Sequence, residues 1–204
     1  YVRSVVLKYA PNINTYSCVA KGLVQATLRD LRHELRLYDD PRRERRRKPV
    51  KELFNIYSRE ISIALSELIG TGKGVEERLK RASTWVEEVY SAACSLFDAV
   101  FLFRIETLTR LLIHTKNPYM PLEIGLAWHP ILDLPYIPAT SLKGVVRAYF
   151  EEQKVDVCGL GIDELFGSES GRGMLIFFDA VPVISTGSIL EPDVITPHYS
   201  EVEV

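Results

Sequence analysis

From Pro49 onward, apolar residues recur at three- and four-residue intervals, at Leu53, Phe54, Tyr57, Ile61, Ala64, Leu65 and Leu68. This period predicts an amphipathic helix, with Pro49 in a first-turn position where its missing N–H is harmless. Gly70-Thr-Gly-Lys-Gly74 interrupts the pattern as a linker. A second helix follows, with Val75, Leu79, Ala82, Val86, Val89, Tyr90 and Ala93 along one side. Residues 15–37 predict a weaker, more basic helix.

Near Asp98 the period shortens to two. Val100-Phe-Leu-Phe-Arg-Ile-Glu-Thr-Leu-Thr109 sets Phe101, Phe103 and Ile105 on one face and predicts a strand with a core-facing side. Residues 114–139, with five prolines, predict a long connection. Thr140 or Ser141 then caps a helix running to about Gln153, with Leu142, Val145, Val146, Tyr149 and Phe150 as its buried stripe. Met174-Leu-Ile-Phe-Phe-Asp-Ala-Val181 predicts a second, buried strand. Strand, crossover helix and strand make an α+β domain over residues 99–204, preceded by a helical region over 1–98.

Composition narrows the class. At 204 residues and 47% hydrophobic, the chain is long enough for a sizeable core. No stretch approaches the ~20 apolar residues of a membrane helix, and no signal-peptide layout opens the sequence, which is read as cytoplasmic. The chain begins at Tyr1 without Met, and missing terminal or loop residues are expected. Cys18, Cys94 and Cys158 are far apart and form no CxxC pair, so they are expected to be small buried residues rather than a disulfide or zinc set. Net charge is −2, but residues 1–48 carry 12 Lys and Arg against 5 Asp and Glu, a net +7, while the rest carry 13 against 22, a net −9. Such asymmetry points to a polyanionic or oppositely charged partner.

Three segments suit phosphate. In Pro135-Tyr-Ile-Pro-Ala-Thr-Ser-Leu-Lys-Gly-Val-Val-Arg147, a proline turn precedes a helix start bearing Thr140 and Ser141, whose N–H groups and dipole favour an anion. Lys143 and Arg147 share a face, and Gly144 admits another backbone. A capped surface helix with two solvated cations accounts for the same residues. In Leu165-Phe-Gly-Ser-Glu-Ser-Gly-Arg-Gly173, the loop Gly167, Ser168, Gly171, Arg172, Gly173 can offer consecutive N–H groups and a guanidinium, or serve only as a flexible connection. Arg42, Arg43, Arg45, Arg46, Arg47 and Lys48 form a basic run that attracts nucleic acid through counterion release, an auxiliary role, or forms a solvated loop.

Enzyme signals are incomplete. Gly70–Gly74 lacks the first glycine and the final hydroxyl of a P-loop. His33, His114, His129 and His198 have neither HExxH nor i,i+4 spacing, so no metal site is expected. Asp193 and His198 can pair as acid and base, but no nucleophile stands beside them.

Taken together, Gly125 to Arg147 with its Leu-Pro-Tyr-Ile-Pro-x-Thr-Ser-Leu-Lys-Gly core, Phe166-Gly-Ser168, Gly171-Arg-Gly173 and a strand ending Phe178-Asp-Ala180 resemble the RAMP proteins of type III CRISPR systems. The ending Asp193-Val-Ile-Thr-Pro-His-Tyr199 is similar to the subunit family named sixth in type III-B (Cmr) effector complexes. The resemblance covers residues 99–200. It departs at Ala139, where many members have glycine.

The resemblance implies a ferredoxin-like (RRM-like) RAMP domain in a helical stack of subunits around a guide (CRISPR) RNA, toward the guide's 3′ end. Its implied partners are guide and target RNA, other RAMP subunits and the helical small subunit, with no cofactor. The expected role is non-catalytic. Backbone contacts fall to Thr140, Ser141, Lys143, Gly144, Arg147, Gly167, Ser168, Gly171, Arg172 and Gly173, with His198 auxiliary, while base pairing supplies sequence specificity. The family's cleaving aspartate belongs to a backbone subunit and aligns with no residue here. Two rivals are an endoribonuclease using His114 or His198 as general base, and a module that contacts only protein.

Overall fold

The chain is described by a computed structural model over residues 50–69, 73–114 and 125–193, together with Asn14 and Ser17. The basic run Arg42–Lys48, Cys18, His33, His198 and, apart from Ser17, the predicted helix at 15–37 lie outside the described residues.

Helix α1 spans Val50–Ile69 and α2 spans Lys73–Leu96. Both follow from their period. Ile61, Ala64 and Leu65 are buried on α1; Val75, Leu79, Ala82 and Ala93 are buried on α2. The second helix starts inside the glycine-rich linker, at Lys73 rather than beyond Gly74. Tyr90, assigned to its apolar side, is exposed.

The chain divides into two compact units. One contains residues 1–77, 118–124 and 185–204, and the other residues 78–117 and 125–184. In the first, Ser58 is buried with Ile61, Ala64 and Leu65, and its carbonyl accepts the Ser62 hydroxyl at 2.8 Å. The second holds the candidate site. Its core contains Leu79, Ala82, Ala127, Trp128, Leu132, Leu134, Leu165 and Phe166.

Within the proline-rich connection the structure has a short antiparallel hairpin that its composition concealed. Strands β1 (Trp128–His129) and β2 (Leu134–Pro135) pair Trp128 with Pro135 and His129 with Leu134. The turn closes through the Asp133 N–H to the His129 carbonyl at 2.9 Å, with Asp133 at φ 58°. Asp tolerates that left-handed geometry better than most residues. Helix α3 spans Ala139–Gln153 and the short α4 spans Ile162–Phe166. Sequence reading left α4 as part of a loop; its first turn carries Asp163 and Glu164, and the Glu164 carboxylate accepts the Gly161 N–H at 2.7 Å.

Both predicted strands differ. Val100–Thr109 forms no ladder among the described residues, and Phe101, Phe103 and Ile105 are 77%, 78% and 64% exposed rather than core-facing. Alternation marks a face but does not supply the hydrogen-bonding partner a strand requires. In Met174–Val181 the first amides are spent elsewhere, Met174 on the Glu164 carbonyl at 3.0 Å and Leu175 on the Leu165 carbonyl at 2.9 Å. Only Ala180 forms a bridge, antiparallel to Ile137. Cys94 and Cys158 are exposed, not buried. Cys94 falls about 100° round the helix from buried Ala93, and Cys158 sits in a turn at φ 55°.

Candidate nucleic-acid interface

Helix α3 begins one step earlier than its hydroxyl residues suggest. Pro138, at φ −59° and ψ 140°, is the N-cap, so Thr140 and Ser141 lie within the first turn and cap nothing. The ring fixes φ near the extended value an N-cap needs, and Pro has no N–H to satisfy. Ala139 donates its N–H to Asp179 Oδ1 at 2.7 Å, while Ser141 and Leu142 donate to the Pro138 carbonyl at 2.9 and 3.1 Å. A carboxylate from elsewhere in the chain therefore serves this helix end. What Thr140 and Lys143 offer a ligand is their side chains.

The apolar stripe of α3 is narrower than its composition implies. Leu142, Val146 and Phe150, spaced four apart, are half-buried, whereas Val145 and Tyr149 are exposed at 71% and 57%. The inward line ends on an aromatic cluster: Phe150 meets Phe166 edge-on at 5.4 Å, and Phe166 stacks on Phe177 at 6.3 Å. Phe166 is 3% exposed. Burial of a side chain this size stabilises by about 2 kcal/mol, so this cluster fixes α3, α4 and residues 174–178 together.

Arg147 is half-buried, and each of its three guanidinium nitrogens donates a hydrogen bond. Its Nε donates to Glu151 Oε1 at 2.8 Å, Nη1 to the Gly167 carbonyl at 2.8 Å, and Nη2 to Asp163 Oδ1 at 3.1 Å. The Glu151 hydrogen bond is the first cause raising its pKa above the ordinary arginine value. The expected pair of solvated cations is thus corrected for Arg147.

The glycine loop is a tight closure. Ser168 and Gly171 exchange N–H to C=O bonds at 2.9 and 3.3 Å, and the Ser168 and Ser170 hydroxyls lie 2.9 Å apart. Gly167 takes φ 86°, and a Cβ there would stand 2.7 Å from the Gly173 nitrogen. A Cβ on Gly173 would stand 2.3 Å from the Gly167 nitrogen and 2.6 Å from the Leu165 carbonyl oxygen. Only glycine allows the two ends of the loop to touch. Gly171 and Gly144 face open space.

Helix and loop meet around a cleft of about 260 Å³ lined by Ala139, Thr140, Lys143, Arg172, Gly173, Leu175, Ile176 and Phe177. Four residues singled out from sequence therefore converge: Thr140, Lys143, Arg172 and Gly173. Lys143 and Arg172 have no ion pair among the described residues, and no acid lines the cleft. Two uncompensated cations above apolar Leu175, Ile176 and Phe177 suit a phosphodiester lying across the opening. Ser141, Gly144, Gly167, Ser168 and Gly171 are not in its lining. His114, a candidate general base, is exposed at φ 65°. Among the described residues, no group of three His, Cys, Asp or Glu side chains could hold a metal. Asp179 and Asp163 were missed by sequence reading; only Glu151, four residues beyond Arg147, left a local signal.

Residues 104–203 match the family model described as the RAMP superfamily. The chain is similar to the CRISPR system CMR subunit Cmr6 of Saccharolobus solfataricus, with 34% identity over 157 residues covering 76% of this chain and 52% of that protein. It spans about half the length of the curated relative it matches. Its fold is similar to that of a chain in the cryo-EM structure of the Type III-B Cmr-beta bound to cognate target RNA. The TM-score is 0.63 at 22% identity, covering 100% of this chain and 73% of that one.

Proposed function

Residues 104–203 of this chain belong to the RAMP superfamily, and from that premise we propose that it is a non-catalytic, RNA-binding structural subunit of a type III-B (Cmr) CRISPR effector complex. The observation carrying the proposal is the meeting of Lys143 and Arg172, without acid partners among the described residues, on one cleft beside Thr140 and Gly173. Such cations bind a nucleic-acid backbone without reading its bases, the contact required where a guide pairs with its target. The partners proposed are guide RNA near its 3′ end, target RNA, neighbouring RAMP subunits and the helical small subunit. The cleft's lining has no imidazole, carboxylate or thiol to act as base or nucleophile, which supports a binding role over cleavage.

The proposed architecture is a ferredoxin-like domain whose extended segments run through Ile113, Ala127, Tyr136–Ile137 and Ala180. Support comes from backbone bonds that set extended segments side by side: Ala127 N–H to the Ile113 carbonyl at 3.0 Å, Tyr136 N–H to the Ala127 carbonyl at 3.2 Å, and the exchange between Ile137 and Ala180 at 2.8 and 3.0 Å. The exposed apolar run Phe101, Leu102, Phe103, Ile105, Leu108, Leu111 and Leu112 supports membership in an assembly, since water-facing patches of this extent mark contact surfaces. No helix of the described residues is long and apolar enough to cross a membrane, in keeping with a cytoplasmic ribonucleoprotein.

Reconstitution with type III-B subunits and a guide RNA tests the reading. The chain is expected to join the particle, to crosslink to RNA through peptides containing Lys143 and Arg172, and to leave guide and target RNA intact when incubated alone with divalent metal. Assembly without any RNA crosslink would favour a protein-only module. Turnover abolished by His114→Ala or His198→Ala would make it a nuclease.

A further inference from the structure

We propose that Arg147 is a positioning residue rather than a phosphate ligand: it clamps the Gly167–Gly173 loop against α3 so that Arg172 is held across the cleft from Lys143. The inference rests on the RNA-backbone reading above. Each of the three guanidinium nitrogens already donates within the chain, Nε to Glu151, Nη1 to the Gly167 carbonyl and Nη2 to Asp163, so three of the fork's five N–H donors and its orientation are committed to the loop and to two carboxylates rather than to a phosphate. Arg147, Glu151 and Asp163 also sum to a charge of −1, which repels an approaching anion. Lys143, one turn earlier, faces the cleft without an acid among the described residues.

The three bonds differ in importance. Glu151 and Asp163 side chains are 50% and 68% exposed, and exposed pairs contribute little once solvent screens them. The bond to the Gly167 carbonyl is part-buried and grips the loop where its ends touch, since Gly167 and Gly173 leave no room for a Cβ between them. Holding Gly167 holds Gly173, and Gly173 sets the departure of Arg172. Asp163→Asn is accordingly expected to change little, and Arg147→Ala much more.

The test uses the full chain, a labelled oligouridylate and binding titrations across a range of salt, with amide hydrogen exchange over residues 166–175. Arg172→Ala should flatten the plot of log affinity against log salt by about 0.7, the value of one single-strand phosphate contact. Arg147→Ala should flatten it by a similar amount and speed exchange of the loop amides, while the Arg147→Ala, Arg172→Ala double variant should lose no more than Arg172→Ala alone. Arg147→Lys keeps the charge without the planar fork and should follow Arg147→Ala; its milder side-chain change guards against a variant that fails to fold.

An additive double variant, flatter by about 1.4, would overturn the proposal by making Arg147 a phosphate ligand. Faster loop exchange at an unchanged salt slope would overturn it by leaving a clamp without a role in binding. If Lys143→Ala and Arg172→Ala both leave the slope unchanged, the RNA reading fails. Exchange still judges the clamp in that case, because loop protection unaffected by Arg147→Ala would refute it.

Discussion

Asp179 accepts the Ala139 N–H at 2.7 Å, joining residues 40 apart and tying the bridge between Ile137 and Ala180 to the first turn of α3. Helix-end caps of this kind contribute about 1 kcal/mol. Asp179→Ala is expected to lower unfolding free energy by that amount, and Asp179→Asn by less, because an amide oxygen can still accept. Denaturant midpoints of the two variants check the order. Equal stability of Asp179→Ala and the native chain would show the contact to be dispensable.

The glycines divide into two classes. Gly167→Ala and Gly173→Ala each force a Cβ into backbone atoms closer than 3.0 Å, and Gly167 adds a positive φ. Each is expected to destabilise by more than about 1 kcal/mol. Gly171→Ala meets open space and is expected to stay within about 0.5 kcal/mol of the native chain, while Gly144→Ala, also in open space but in the interior of α3, is expected to stabilise by about 0.5–1 kcal/mol. Thermal unfolding of the four variants separates the classes.

What could be read from sequence was local. The three-and-four period found Ile61, Ala64, Leu65, Val75, Leu79, Ala82 and Ala93, because a helix's hydrogen bonds lie within the segment that forms it. Phosphate-suiting chemistry at Lys143 and Arg172 was legible for the same reason. Their convergence was not: it depends on Phe150, Phe166 and Phe177 packing between elements. Pro138 displaced the expected hydroxyl cap because the competing acceptor, Asp179, lies far along the chain. Arg147 looked like a second solvated cation because Asp163 and the Gly167 carbonyl, 16 and 20 residues downstream, are invisible to local spacing. Val100–Thr109 carries a strand's alternation, but pairing depends on a remote partner.

His129 gives the fold a pH dependence of definite sign. Burial lowers its pKa from the ordinary 6.5, while the charge of Asp179 partly opposes the shift. Its ring lies edge-on to Trp85 at 5.6 Å and Tyr136 at 5.5 Å, and Nδ1 accepts the Leu132 N–H at 3.2 Å. A folded pKa below the unfolded value means that the contribution is complete above 6.5 and falls away as pH drops through the lower folded value. Unfolding temperatures at about pH 7.5 and about pH 5 should therefore converge in His129→Phe relative to the native chain. An unchanged difference would assign the pH response to other groups.

Among the described residues of the second unit, the most buried charge is expected to be the most sensitive polar position. Asp133 is 4% exposed and stands at φ 58°. Its Oδ1 accepts Trp128 Nε1 at 3.1 Å, and its Oδ2 accepts Arg78 Nε at 3.0 Å and Nη2 at 2.9 Å, pinning the hairpin turn to α2. Three effects overlap here and substitutions separate them. Asp133→Asn keeps an oxygen that accepts the indole N–H and tolerates the left-handed backbone, but its amide NH2 stands where Oδ2 accepted Arg78, so the charge and both guanidinium hydrogen bonds are lost, at about 2 kcal/mol. Asp133→Ala also orphans the indole N–H and takes the carboxylate away from the largely buried Arg78, which is expected to cost about 3 kcal/mol. Combining Asp133→Ala with Arg78→Leu should cost less than the two single changes summed, because the Arg78–Asp133 interaction is lost once in the double variant and counted twice in the sum. Denaturant unfolding followed by tryptophan emission measures all four. If Asp133→Ala fell within about 0.5 kcal/mol of the native chain, the hairpin would be held to α2 by apolar packing of Trp128, Leu132 and Leu134 instead.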